Sequence, residues 1–290
     1  MKIHFIYIIS IFLLIFLISS CDEINNYRKT KTTTTSEKAI RKILLEKFTG
    51  AKCGNCPAAE KVADDLIKTN PNRIVLVELH TGVFAKPDKS KYTYDFRTVF
   101  GTELDDKFAA SVVGHPNGMI NRTEFNGKII LKKEEWGNAV DFFIDSLPAM
   151  KMNLTAYYNQ ANKNIDIYID ITYLKKSDST NALSVYLTED SIVKPQTDYS
   201  QDPSDIMNYV HNNVLRVALN GTWGDLISTK PITEGSIVTR HFNYRIPDGS
   251  DWKIENLKFV AFIHNDKTVN GKQIYEVLQV EETANLILVL

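Results

Sequence analysis

The sequence predicts an α/β first half followed by an all-β second half, and three observations carry that reading. A buried-type strand, a CGNC tetrad and an amphipathic helix succeed one another between residues 39 and 69. The apolar run from Ile74 to Leu79 then reads as a strand covered on both faces, as in a parallel sheet. After Pro148 the pattern becomes strict period-two alternation, the mark of strands with one buried face. A chain of 290 residues has room for two such domains. Its 34 Lys and Arg balance 35 Asp and Glu, so no positive excess exists to attract nucleic acid.

Residues 1–20 place Lys2 ahead of an apolar run from Phe5 to Ile18 and then two serines. This fits a secretory leader better than a membrane span, which needs about 20 apolar residues with flanking anchors. The stretch Leu17-Ile18-Ser19-Ser20-Cys21 resembles a bacterial lipobox. That resemblance implies removal of residues 1–20 as a lipoprotein signal peptide and acylation of Cys21 with chains such as palmitate, making a membrane the first expected partner. Residues 21–38 are polar, with four consecutive threonines and no apolar period, and read as a flexible tether. Domains are expected at 39–149 and 150–290.

With Cys21 acylated, Cys53 and Cys56 remain, in an exported chain where disulfides persist. Their spacing suits a redox-active dithiol, an inert disulfide or half of a zinc site, and the scattered histidines lack metal-ligand spacing. No cofactor is implied. The segment from Ala39 to Phe48 supplies the strand, and Thr49-Gly50 the turn that stops it. Ala59, Val62, Ala63, Leu66 and Ile67 recur at helical spacing, and Pro57 suits a first helical turn. A helix N-terminus and Lys52 both favour a thiolate at Cys53, leaving Cys56 to resolve a mixed disulfide. Residues 81–107 form a long aromatic connection, expected as a satellite core more than a substrate lid. Asn126-Gly127 marks a hairpin, and residues 133–147 a closing helix.

This order of elements, with Val112-Val113-Gly114-His115-Pro116 ahead of the hairpin, resembles the thioredoxin family over about residues 39–149. The resemblance implies that Pro116 is the cis-proline facing the dithiol and that His115 shapes a groove for protein or peptide substrates. Cys53, Cys56, His115 and Pro116 are therefore the candidate catalytic residues. Two positions depart from the family pattern: Lys52 replaces the usual tryptophan, and the buried acid has no clean counterpart, Glu46 being the candidate beside Lys47.

In the second half, Met150 to Tyr158, Ile165 to Tyr173 and Leu183 to Leu187 alternate strictly. Further segments at 236–244, 257–264 and 273–279 bring the count to six or seven strands, suggesting an immunoglobulin-like antiparallel β-sandwich. Residues 209–225 stand apart and are expected as a helical or looped excursion, with Trp223 as a core plug and His211 paired with Arg216. That segment resembles a signature of the outer-membrane-protein-28-related lipoproteins, which combine a lipobox, a CGNCP-bearing thioredoxin-like domain and a C-terminal β-sandwich. The resemblance implies an outer-membrane, lipid-anchored protein. Two functions follow: thiol-disulfide exchange on envelope proteins through Cys53 and Cys56, or non-catalytic surface binding in which the two form a structural disulfide.

Overall fold

The computed structural model describes residues 39–177 and 180–289. The segments expected as leader and tether, and Cys21 as the expected acylation site, lie outside the described residues.

The first strand, β1 (Ile43–Thr49), is buried along its whole length. Helix α1 (Cys56–Thr69) follows the CGNC turn, and β2 (Ile74–His80) pairs parallel to β1, the crossover that a strand–helix–strand unit requires. The aromatic connection holds α2 (Gly82–Ala85) and nearly all of α3 (Val99–Phe108), and α4 (Ala110–Val113) follows it. Thr98 caps α3 by accepting the Gly101 N–H. Next, β3 (Asn117–Ile120) pairs antiparallel to β1. The expected hairpin at Asn126-Gly127 is a tight turn closed by the Phe125–Lys128 bridge, and the expected strand after it is reduced to the antiparallel Gly118–Leu131 bridge. The closing helix, α5, is confined to Trp136–Ile144 behind a turn of 3-10 helix.

The second half provides β4 (Met150–Asn159), β5 (Asn164–Tyr173), β6 (Asn181–Glu189), β7 (Ile192–Thr197), β8 (Asp205–His211), β9 (Val214–Ala218) and β10 (Asp225–Leu226). It continues with β11 (Ile237–Arg245), β12 (Leu257–Asn265), β13 (Lys267–Val269), β14 (Lys272–Ile274), β15 (Val277–Glu282) and β16 (Ile287–Val289). The fold is thus mostly β. One sheet runs β15-β12-β6-β9-β2-β1-β3, with β10 on β6, and a second runs β11-β5-β4-β16.

The expected boundary at residue 149 does not interrupt the first sheet. Strand β9 meets β2 in a parallel bridge at Val214 and Glu78, and Ala39–Leu290 forms one compact unit. Period two explains how one sheet serves several cores. Leu183, Val185 and Leu187 of β6 face the second sheet, where Ile165, Ile167, Ile169 and Ile171 fill the space. The alternate residue Tyr186 faces the other way, into a core shared with Leu44, Phe48, Val77 and Leu79. A third core lies between β1, β2, α1 and α5 around Trp136, Ala59 and Ala63.

The segment 209–225 corrects the expected excursion. It supplies the last three residues of β8, all of β9 and the first residue of β10, and Arg216 pairs with Glu189 instead of His211. Trp223 is half-buried and stacks on Tyr275 at 4.5 Å.

Candidate functional site: a covered disulfide

The CGNC turn sits where β1 ends. The Cys53 N–H donates to the Gly50 carbonyl at 2.9 Å and the Cys56 N–H to the Cys53 carbonyl at 3.1 Å, winding the chain into α1. Asn55 holds the cap position without a side-chain hydrogen bond, and Pro57 occupies the first turn, where a missing N–H leaves nothing unpaired. Cys53 and Cys56 are disulfide-bonded, with Cα atoms 5.4 Å apart. Gly50 is required by proximity: a Cβ there would lie 2.5 Å from the Phe84 carbonyl carbon and 2.6 Å from the Ala85 nitrogen. Backbone cannot swing aside as a side chain can, so Gly50→Ala should lower stability by about 1–3 kcal/mol in urea unfolding.

Of the readings open to Cys53 and Cys56, exchange requires sulfurs open to a visiting polypeptide. Instead Cys53 is 3% exposed and Cys56 2% exposed. The cover is the β7–β8 hairpin of the second half. Its Thr197 N–H donates to the Ala51 carbonyl and its Tyr199 N–H to the Gly54 carbonyl, both at 2.9 Å. The Gln196 amide donates to the Cys53 carbonyl at 3.0 Å and to the Thr197 carbonyl at 2.9 Å, tying turn and hairpin together. The Tyr199 ring lies on Gly54 so closely that a Cβ would sit 2.4 Å from it. Tyr92 and Phe96 of the aromatic connection share a buried cluster with Ala51, Ile192 of β7 and Val214 of β9. The aromatic connection is therefore a small core built against the turn. Tyr92 also donates its hydroxyl to Asp205 at 2.5 Å, which fastens the connection to the hairpin.

Lys52 and His115 are less available to the sulfurs than expected. The Lys52 Nζ lies 3.9 Å from the Asp88 carboxylate, which partly satisfies its charge. The His115–Pro116 bond is cis, and both residues are half-buried at the end of the sheet that carries the turn. His115 Nε2 is hydrogen-bonded to Thr81 Oγ1 at 3.0 Å, and burial pulls its pKa below the ordinary value.

The acids around the turn are already engaged. Ile43, Leu45 and Lys47 point from β1 toward α1, and Glu46 points to the opposite face. Glu46 cannot serve Cys56 as a proton acceptor, because Arg122 donates to both its oxygens at 2.7 and 2.6 Å in a fully buried pair. Lys47 contacts both Glu60 and Glu78. Burial alone would raise the Glu60 pKa, but Lys47 overrides it and holds the group at about 2. Glu78 is pushed well above its ordinary value by burial and by the Glu60 charge, with Lys47 working against that rise.

Beside them, Phe96 stacks on His80 at 4.4 Å and meets His211 at 4.6 Å. Both imidazoles are held neutral by burial, His211 with its pKa lowered to about 4. Among the described residues no group of three or more His, Cys, Asp or Glu is placed to hold a metal ion.

Sequence reasoning missed Gln196, Thr197 and Tyr199. Pro195 interrupts β7 and hides it from a search for strands, since proline is confined to edges and bulges. The faint signal is Ile192, buried at the start of a polar run.

The chain matches the family described as "Outer membrane protein Omp28" over residues 103–285, more than half its length. Among solved structures it is similar to HBP35 of Porphyromonas gingivalis, with 16% identity and a TM-score of 0.58, covering 85% of this chain and 76% of that one. At that identity the likeness concerns the fold. A protein of Agrobacterium tumefaciens aligns with 13% identity and a TM-score of 0.49, over 87% of this chain and 96% of that one. A domain of the outer membrane lipoprotein Omp28 from Porphyromonas gingivalis aligns with 19% identity and a TM-score of 0.29, over 49% of this chain and 92% of that one. No curated protein matches. A family match that takes in the covering hairpin, the 209–225 segment and nearly all of the second half establishes that the chain belongs to the outer membrane protein Omp28 family.

Proposed function

We propose that this is a lipid-anchored outer-membrane protein in which a thioredoxin-like first half and an immunoglobulin-like sandwich are locked together, and in which Cys53–Cys56 is a structural crosslink. The observation that carries this reading is the burial of both sulfurs beneath Gln196, Thr197 and Tyr199. Attack on a disulfide sulfur needs a free approach, and here the approach is filled by the protein's own hairpin. The lipobox at Leu17 to Cys21 and membership in an outer-membrane family support the anchor. Among the described residues no helix is long and apolar enough to cross a membrane. A protein of this kind acts through its surfaces, as a binding or scaffolding lipoprotein.

One observation favours a second reading, in which the hairpin swings away and Cys53 exchanges disulfides with envelope proteins. The strand–CGNC–helix unit, with Pro116 at the same end of the sheet, supports it through its resemblance to the thioredoxin family. Insulin reduction separates the two. A structural disulfide predicts equal rates for wild type and Cys53→Ser, and a potential below roughly −300 mV. A wild-type rate that Cys53→Ser abolishes, and that Gln196→Ala raises, would replace the structural reading with a gated exchanger.

A further inference from the structure

The hairpin that covers the disulfide is hinged at its base and fastened at its tip. Strands β7 and β8 form a two-stranded sheet of their own. At the base Ser191 and Asn213 both take left-handed backbone, φ 59 and 54°, a conformation that residues other than glycine hold only when their surroundings impose it. Side chains impose it here: the Ser191 N–H donates to Asn212 Oδ1 at 3.0 Å and the Asn213 N–H to Asp190 Oδ1 at 2.7 Å. The Glu78 N–H donates to the Asn213 carbonyl at 2.8 Å, so the base is tied to β2 while the tip depends on the Gln196, Thr197 and Tyr199 contacts. Val193, Met207 and Val210 are exposed, so much of the hairpin's apolar surface adds nothing to the closed state.

Beneath the hairpin lies a poorly satisfied contact. His211 of β8 reaches in against His80 of β2, their ring centroids 5.6 Å apart and Phe96 against both. Both ring nitrogens of His80 and Nε2 of His211 are buried without a hydrogen-bond partner. A proton added there becomes a desolvated donor, costly unless something accepts from it. The groups that face the pair do not answer it. Glu78 lies 3.9 Å from His80 Nε2, beyond hydrogen-bond reach, and its raised pKa makes it shed charge as pH falls. Glu60 of α1 favours a charged His211, but Lys47 of β1 already pairs with Glu60 and repels both imidazoles. Arg216 of β9 and His115 also oppose charge on His80, and Tyr209 meets the His211 ring edge-on at 5.0 Å. The Lys194 and Pro195 backbone favours a charged His211, and burial outweighs it, while the Lys194 ammonium sits over Tyr94 at 4.4 Å.

We infer that the β7–β8 hairpin is an acid-released strap: protonation of His211 and His80 drives the two rings apart, the hairpin turns about Ser191 and Asn213, and Cys53–Cys56 comes within reach of solvent. Opening carries His211 into water and leaves His80 beside the gap, so repulsion is relieved and the orphaned nitrogens are hydrated in one movement. The strap acts on the cover alone, so its failure would leave the structural reading of the disulfide standing.

Reduction of the full chain by tris(2-carboxyethyl)phosphine measures the opening, with the oxidised peptide of residues 52–57 as an uncovered reference at each pH. Relative to that peptide, the protein's disulfide should be reduced about twentyfold faster at pH 5 than at pH 7, as linkage gives for one histidine that falls from 6.5 to about 4 on closing. Far-ultraviolet circular dichroism should stay unchanged over the same range. His211→Gln should lower the ratio about fivefold or more, and His80→Gln should lower it in the same sense. Gln196→Ala, which loosens the tip without touching the histidines, should speed reduction at both pH values and keep the ratio. A wild-type ratio near one, a ratio that both histidine variants leave intact, or reduction that quickens only as the circular dichroism is lost would each overturn the strap.

Discussion

Arg122→Met should lower unfolding free energy by about 3–5 kcal/mol, and Glu46→Gln by a similar amount, since each leaves a buried charge without its partner. The two side chains are fully buried and joined by two hydrogen bonds, with Arg122 also donating to Tyr186 Oη at 3.0 Å. The guanidinium lies 4.9 Å from the Phe262 ring, which adds a cation–π contribution and biases the larger loss toward the arginine. The Glu46→Gln/Arg122→Met double variant should lose clearly less than the sum of the two single losses, because it removes both buried charges together and leaves a neutral amide in place of an unpaired ion. Urea unfolding of the four proteins gives the coupling directly. Additive losses would show that the two charges do not depend on one another. Arg122 joins β3 to the core that holds Tyr186, so this pair also welds the first half of the chain to the second.

Much of the fold could be read from pattern, because its strands obey period two or are wholly apolar. Met150 to Tyr158 and Ile165 to Tyr173 alternate without a break, and the structure forms them as β4 and β5 in antiparallel register. The helix after CGNC and the run from Ile74 to His80 were equally plain. The register between halves could not be read. Strand β9 joins β2 through the single Val214–Glu78 bridge, and nothing local in Val214-Leu215-Arg216-Val217-Ala218 says which sheet receives it. A segment of mixed polar and apolar residues with two asparagines before it, Asn212 and Asn213, reads as a loop until its neighbours are known.

The site was legible in its sulfurs and illegible in its cover. Cys53 and Cys56 declare themselves by spacing, but solvent access is a tertiary property. It was decided by Gln196 and Tyr199, about 140 residues away in sequence, whose contacts run mainly to backbone carbonyls that any sequence would supply. Lys47 was visible as a departure from the expected acid, and the structure shows why it is tolerated: Glu60, one helical turn beyond Cys56, and Glu78 of β2 both converge on it.

Acidification should destabilise the protein well above the pH at which carboxylates titrate. His80, His211 and His264 are all buried and neutral, and burial lowers the pKa of each, for His211 and His264 to about 4. Near neutrality neither folded nor unfolded histidine is charged, and no penalty arises. As pH falls below 6.5 the unfolded chain takes up protons that the folded chain refuses until about pH 4. Stability is therefore lost through that window, by linkage about 3 kcal/mol for each of His211 and His264 once the lower value is reached. Glu60 extends the loss: its pKa of about 2 makes its contribution full above the ordinary carboxylate value and lost below it. Glu78 and Glu282 oppose the trend, since burial raises both and acid relieves them. The balance is resolved by comparing variants. His264 hydrogen-bonds the Asn265 carbonyl through Nδ1 at 2.9 Å and Ser184 Oγ at 3.2 Å, contacts that a glutamine amide can partly replace without a titrating group. Between pH 7 and 4.5, wild type should lose about 2–3 kcal/mol more stability than His264→Gln in urea unfolding. Parallel pH profiles would mean that His264 is protonated alike in the folded and unfolded chains, and that the interior around Phe262 and Tyr275 admits charge.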